Sequence, residues 1–114
     1  MKTIGIIGGI TWHSTLEYYR LVNQLVNQRL GGVASAKIVL VSVDFEEIKR
    51  WTVADTWGPI TDCMIDAAKK LEAAGADCLL IGANTMHKIA GEVQAAVQVP
   101  LIHIADVVTD AILA

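Results

Sequence analysis

The sequence has few aromatic residues, no excess of positive charge and no long hydrophobic run. Its aromatic residues are three Trp, two Tyr and one Phe, although 54% of the chain is hydrophobic. The interior must therefore be built mainly from aliphatic side chains, a composition typical of parallel sheets covered by helices. Nine Lys and Arg against twelve Asp and Glu give a net charge of −3. This balance argues against nucleic acid and anionic membranes as partners.

Two further shortages concern location and redox chemistry. The apolar runs fall short of the ~20 residues that a membrane span needs, and the amino-terminal MKTIGIIGGI is too short and too rich in glycine for a signal peptide. We therefore expect a cytoplasmic protein. Cys63 and Cys78 are the two cysteines, too few to predict a disulfide framework. We interpret both as buried free thiols that act as small hydrophobic side chains.

Strand-like and helix-like segments alternate along the chain. Apolar runs at 3–8, 37–42, 78–82 and 101–105 predict strands, and helical spacing predicts helices after them. Strands joined by helix-length connections form parallel sheets with right-handed crossovers. The sequence therefore predicts a single α/β domain over residues 1–114, a doubly wound, three-layer αβα sandwich with a four-stranded parallel sheet and a flavodoxin-like topology.

The first helix is predicted from a capping pattern. Ser14, with Glu17 three residues later, matches a capping box, and Gly31 and Gly32 should end the helix. The apolar side of this helix is predicted to consist of Leu16, Tyr19, Leu21, Val22, Leu25 and Val26.

The later helices carry similar signals. Asp44 is predicted to cap a short helix, and Pro59 to open a long one that Gly75 ends. Asn84 and Asp106 are predicted to cap the last two helices.

Ligands of such sheets bind outside the carboxyl ends of the strands. The glycines of GIIGG at 5–9 do not match the dinucleotide-binding pattern, and no phosphate-loop lysine follows them. They are therefore a weak indication of nucleotide binding. Binding of an anion by exposed backbone amides stays open. Trp12 fits a pocket wall and a cover for the core edge equally well. His13, His87 and His103 are scattered and predict no metal site.

The stretch NTMH at 84–87 is the most site-like part of the chain. Asn84 and Thr85 would place an amide and a hydroxyl at a helix N-terminus, where free N–H groups and the helix dipole favour an anion. The competing interpretation is that Asn84 serves as an N-cap alone.

Five stretches resemble the amino-terminal half of the aspartate/glutamate racemase family, and within it the broad-specificity bacterial amino-acid racemases. They are MKTIGIIGGITWHSTLEYYRLVN, SAKIVLVSVDFEEI, LEAAGAD, NTMHK and PLIHIAD. The resemblance implies two similar α/β domains with the active site between them and no pyridoxal phosphate or metal. It also implies one cysteine from a strand-to-helix corner of each domain. One thiolate removes the α-proton, and the other thiol returns a proton to the opposite face.

The sequence departs from the family pattern at this corner. The family reads Cys-Thr-Asn-Thr there, and its cysteine aligns with Gly82 and its first threonine with Ala83. The family's second cysteine belongs to a domain outside this sequence, and His13 stands where the family usually has glutamate. Cys78 lies ~13 Å back along the strand, too far to substitute, and His87 is a weak candidate about one helical turn further on.

The resemblance therefore predicts a racemase-family domain, a natural half-length relative or a fragment, that is inactive alone and uses no cofactor. We expect it to bind a small amino acid or dicarboxylate and to form a homodimer that covers its apolar surface. The alternative is a non-catalytic carboxylate-binding or protein-interaction domain. The predicted substrate-binding residues are Gly8, Gly9, Thr11, Trp12, Gly82, Ala83, Asn84 and Thr85.

Overall fold

The computed structural model describes residues 1–83, 88–102 and 112–113. Strands and helices alternate through these residues, with one additional short helix after the second strand. The elements are β1 (Thr3–Gly8), α1 (Trp12–Leu30), β2 (Lys37–Ser42), α2 (Phe45–Val53), α3 (Trp57–Ala73), β3 (Cys78–Ile81), α4 (Ala90–Ala96) and β4 (Leu101–Ile102).

The four strands form one parallel sheet in the order β2-β1-β3-β4. The first strand lies in the middle and pairs with β2 on one side and β3 on the other. This order is that of a flavodoxin-like sheet, so the predicted α/β class and parallel topology are confirmed. Among the described residues, no helix is long and apolar enough to cross a membrane.

Two apolar layers sandwich the sheet because successive side chains of a strand point to opposite faces. Ile4 and Ile6 of β1 join one buried cluster with Val22 and Val26 of α1. Ile7 joins the other cluster, to which α2, α3 and α4 contribute. All three isoleucines are fully buried, and each contributes roughly 1.5–3 kcal/mol to the stability of the fold. The predicted three-layer arrangement is therefore present.

Helix α1 begins earlier than predicted. Its first residue is Trp12, with Thr11 in the N-cap position and no side-chain capping bond. The prediction of Ser14 as the N-cap was wrong. Glu17 lies past the backbone N–H groups at the start of α1 that a capping box serves. Its carboxylate instead forms an ion pair of 2.7 Å with Arg20.

The buried side of α1 is also narrower than predicted. Its buried residues are Thr15, Val22 and Val26, which repeat at helical spacing. Leu16 is 57% exposed, Tyr19 is 53% exposed and Leu21 is 38% exposed, so the prediction that these three lie on the inner side was wrong. A helix that packs on a sheet through one side buries a single stripe, and these residues lie outside it.

The other helix signals agree with the structure to within a turn. The Asp44 carboxylate accepts a bond of 2.9 Å from the Glu46 N–H and caps α2. Helix α3 starts two residues before Pro59, which the first turn of a helix tolerates. The predicted caps Asn84 and Asp106 lie outside the described residues.

Candidate functional site

The site is built at the carboxyl edge of the sheet, where β1, β2 and β3 end next to one another. Gly8 pairs in register with Ser42, and Ile7 pairs with Ile81. Because strand side chains alternate between faces, Gly8, Ser42 and Gly82 all lie on the α1 side of this edge. The register thus brings three chain segments that are remote in sequence to one place.

Gly82 occupies the position of most interest, and its backbone is well fixed. Its N–H donates to the Ile7 carbonyl over 2.8 Å. A Cβ added at Gly82 would lie 3.2 Å from that oxygen and 3.7 Å from Tyr18 Cδ2. Its φ is not positive, so the backbone conformation does not require glycine, although an added Cβ would press closely on the Ile7 oxygen. A side chain here would point towards Tyr18 of α1.

The two glycines after β1 differ from Gly82 in this respect. A Cβ on Gly9 would lie 2.2 Å from the Val43 carbonyl oxygen, and the Gly9 φ of 83° is in the left-handed region. A Cβ on Gly8 would lie 2.6 Å from Thr15 Cγ2. Both glycines are therefore required for the close approach of β1, β2 and α1.

Thr15 of α1 holds the loop after β1 in place, and the sequence interpretation missed it. It is a buried polar residue of the inner face of α1. Its hydroxyl accepts a bond of 2.8 Å from the Gly9 N–H and donates to the Thr11 carbonyl at 3.5 Å. The signal was available in its spacing of seven and eleven residues from Val22 and Val26, which places it on the inner stripe.

The turn into α1 has unusual backbone geometry. Thr11 has φ 55° and ψ 120°, a conformation that a β-branched residue rarely adopts. Its hydroxyl donates to the Ser14 hydroxyl oxygen over 3.0 Å. The following Trp12 ring stacks on His13 with centroids 3.6 Å apart and is 56% exposed. Trp12 therefore does not cover the core edge, and its role as a pocket wall stays a prediction.

A groove of about 460 Å³ lies along α1 beside this edge. It is open to solvent and includes Tyr18, the residue that would contact a side chain at position 82. The charged pair in the groove, Glu17 and Arg20, is mutually neutralised. The groove is lined by His13, Ser14, Glu17, Tyr18, Arg20 and Leu21.

Of the remaining predicted site residues, Ala83 is among those that the structure describes. Ala83 is half-buried and packs against the core cluster on the α3 side, opposite to the direction of Gly82. Asn84, Thr85 and the weak candidate His87 lie outside the described residues.

The two thiols lie elsewhere in the fold, and their surroundings disfavour the thiolate form. Cys78 is buried at the start of β3, and burial, together with the charge of Asp77, raises the pKa of its thiol. Burial and the charge of Glu47 raise the pKa of Cys63, which is half-buried in α3. A raised pKa lowers the thiolate fraction at neutral pH. In the described part of the chain, no group of three potential metal ligands occurs.

Comparison with known proteins relates the chain to one family. Residues 7–114 match the family model for Asp/Glu/hydantoin racemases. The chain is similar to the crystal structure of a putative Asp/Glu racemase from Yersinia pestis, with 47% identity and a TM-score of 0.88 over 93% of this chain and 46% of that one. It is also similar to an aspartate racemase homologue from Pyrococcus horikoshii OT3, with 36% identity and a TM-score of 0.84.

That second match covers 99% of this chain and 49% of the archaeal one, so this chain spans about half the length of either relative. The family match covers nearly the whole sequence, and the strand order agrees with it. The chain belongs to the Asp/Glu/hydantoin racemase family.

Proposed function

We propose that this chain is an amino-acid-binding domain of the racemase family that does not invert the α-carbon by itself. The observation that carries this proposal is the corner at Gly82. A side chain at this position would face Tyr18, which lines the groove along α1, yet glycine has no side-chain group that can accept or donate a proton. In the alignment that the resemblance implies, the family's first catalytic cysteine would stand at this position.

The chemistry of inversion supports inactivity of the isolated chain. A stereocentre is inverted only when acid/base groups reach the same carbon from both faces. The titratable groove residues His13, Glu17 and Tyr18 belong to α1 alone, so they approach a ligand from one side. Cys78 begins β3, and the raised pKa of its buried thiol opposes thiolate formation.

The proposed ligand is a small amino acid or dicarboxylate, bound without pyridoxal phosphate or a metal. Thr11 and Trp12 would contact it from the loop, and Gly82 and Ala83 from the corner, together with Asn84 and Thr85. The first turn of α1 contains no acidic residue, which favours a carboxylate near its N–H groups. Gly8 and Gly9 act by shaping the loop, since the Gly9 N–H is bonded to Thr15.

A second candidate function is a domain that acts through protein contact without turnover. The exposed side chains of Leu16 and Tyr19 favour it, because monomeric proteins seldom expose contiguous apolar surface. Both functions are compatible with a homodimer, which we include in the proposal.

The test uses L- and D-aspartate and L- and D-glutamate in deuterated water, with NMR detection of deuterium at the α-carbon. We expect saturable binding that perturbs the Trp12 indole signal, and no exchange by the unaltered chain. Gly82→Cys is expected to restore exchange from one face, so that one enantiomer loses its α-proton. Gly82→Ser is the matched control, because it adds a similar side chain that is not a thiolate.

Each outcome bears on a separate part of the proposal. Exchange by the unaltered chain would overturn its inactivity. Failure of all four amino acids to bind would overturn the ligand and leave protein contact as the better function.

A further inference from the structure

Helices α3 and α4 begin at the same edge of the sheet as the candidate site. In a parallel sheet the connecting helices run back from the carboxyl ends of the strands, so the starts of α3 and α4 lie on the side of the corner at Gly82. Trp57 is the first residue of α3, and Lys88 and Ile89 directly precede α4. These three residues line a hollow of about 350 Å³ between the two helices.

The Lys88 ammonium lies over the indole ring of Trp57. Its Nζ is 4.8 Å from the ring centroid, within the ~6 Å range of a cation–π contact. Asp62 and Glu92 line the same hollow, yet within the described ranges of the chain neither carboxylate forms an ion pair with Lys88. The aromatic ring is therefore the partner that the structure gives this ammonium.

The Trp57 ring is itself held from two sides. Its N–H donates to the Asp55 carboxylate over 2.8 Å, and the half-buried side chain packs against the core cluster that includes Ile60 and Ile89. A negative charge bonded to the edge of the ring polarises it, which strengthens the attraction of its face for a cation. Asp55, Trp57 and Lys88 thus form one chain of contacts from the α2–α3 loop to the start of α4.

This contact lies close in sequence to the corner. Lys88 is the sixth residue after Gly82. The Gly82 N–H is bonded to the Ile7 carbonyl, and Ala83 packs against the same core cluster as Trp57. The contact between Lys88 and Trp57 therefore fixes the chain downstream of the corner, as the bond to Ile7 fixes it upstream.

We propose that Trp57 and Lys88 are positioning residues of the corner at Gly82. They act through the backbone and not by contact with a ligand, because Trp57 packs on the face of the sheet opposite to α1 and its groove. Fixing the chain on both sides of the corner lowers the ordering cost that ligand binding must offset. The expected effect on ligand affinity rests on the amino-acid binding proposed above, whereas the effect on the corner itself does not.

The first measurements read the contact and the corner separately by NMR of the full chain. Upfield ring-current shifts of the Lys88 methylene protons report the contact, and Trp57→Leu should abolish them. Amide hydrogen exchange of Gly82 and of Val93 in α4 reports the corner and the helix that follows it. We expect Lys88→Met to accelerate both exchange rates about two- to fivefold, the factor that an exposed cation–π contact corresponds to. The exchange of Ile6 in β1 should not change.

Three variants separate this contact from a general loss of packing. Lys88→Arg should retain the protection of Gly82, because a guanidinium also stacks on aromatic rings. Lys70→Met is the matched control, since Lys70 is an exposed lysine of α3 that pairs with Asp66, and it should leave Gly82 unaffected. Lys88→Met combined with Trp57→Leu should accelerate exchange no more than Trp57→Leu alone, because the ammonium then has no ring to bind.

Ligand affinity completes the test. We expect Lys88→Met to weaken binding of aspartate or glutamate about two- to fivefold, and Lys88→Arg to preserve it. Absent ring-current shifts, or unchanged exchange of Gly82 in Lys88→Met, would overturn the proposal. Faster exchange with unchanged affinity would overturn the positioning role and reduce the contact to a support of the fold. Failure of the unaltered chain to bind any amino acid would overturn the proposed ligand, while the exchange rates would still decide whether Lys88 holds the corner.

Discussion

The Gly9 N–H donates to the Thr15 hydroxyl over 2.8 Å, in a buried bond between the loop after β1 and the first turn of α1. This contact ties the carboxyl end of the central strand to the helix that lines the groove. It also fixes how closely the Gly8 backbone lies under Thr15. The shape of the candidate site therefore depends on one hydroxyl that does not itself face the groove.

Thr15→Val should lower the free energy of unfolding by about 1–3 kcal/mol, because it leaves the buried Gly9 N–H without an acceptor. Thr15→Ser is the control, since it keeps the hydroxyl and removes one methyl group at a cost of about 1 kcal/mol. Urea unfolding of the three proteins, compared at similar m-values, measures both effects. A valine variant as stable as the unaltered protein would contradict the importance of this bond.

Gly9→Ala should destabilise the protein far more than Gly75→Ala, although both glycines have positive φ. The Gly75 variant meets no atom within 4 Å and bears a conformational cost of roughly 1–2 kcal/mol. At Gly9 the new Cβ would also lie 2.2 Å from the Val43 oxygen, so we expect a loss above about 4 kcal/mol or no folding. Thermal unfolding followed by circular dichroism separates the two variants, and equal losses would disprove the close approach.

Gly82→Ala should change the free energy of unfolding by less than about 1 kcal/mol. The reduced entropy of the unfolded chain favours alanine, and the contact of 3.2 Å with the Ile7 oxygen opposes it. Gly8→Ala is the contrast: its Cβ would overlap Thr15, and overpacking costs about 1–3 kcal/mol. Chemical denaturation of the two variants tests this, and severe destabilisation by Gly82→Ala would show that the corner requires glycine.

The buried thiol of Cys78 should make stability depend on alkaline pH. Burial raises its pKa in the folded protein above the ordinary 9.0, so the folded state retains its proton longer than the unfolded state does. This contribution is fully present below pH 9.0 and is lost as pH rises through the folded pKa. Urea unfolding from neutral to alkaline pH should reveal a decline that Cys78→Ala reduces. An unchanged decline in that variant would assign it to other groups.

The strands were predictable from sequence because buried parallel strands are nearly continuous apolar runs. Ile4, Ile6 and Ile7 illustrate this, and the run that contains them has the boundaries predicted for β1. The start of α1 was not predictable in the same way. Ser14 and Glu17 match a capping box, but the positive φ of Thr11 depends on tertiary contacts that no local pattern encodes.

The candidate site shows the same division between local and long-range information. The chain order placed Gly82 at the end of a strand in a predicted parallel sheet, and the resemblance to the family singled it out as the position of a cysteine. That Gly8, Ser42 and Gly82 share one face follows from the strand register, which sequence does not provide. The position of Tyr18 beside Gly82 depends on how α1 rotates over the sheet, and the exposure of Leu16 depends on the same rotation.

The backbone at Gly82 is held by its bond to Ile7, and beyond its α-carbon a small side chain would meet the Ile7 oxygen closely and Tyr18 at ordinary contact distance. If the predicted small effect of Gly82→Ala is found, folding tolerates a small side chain there. Such a position can exchange a reactive group for an inert one, or the reverse, by single replacements whose intermediates all remain folded. At this corner the fold and its reactivity would then be separable traits, so that one could change without the other.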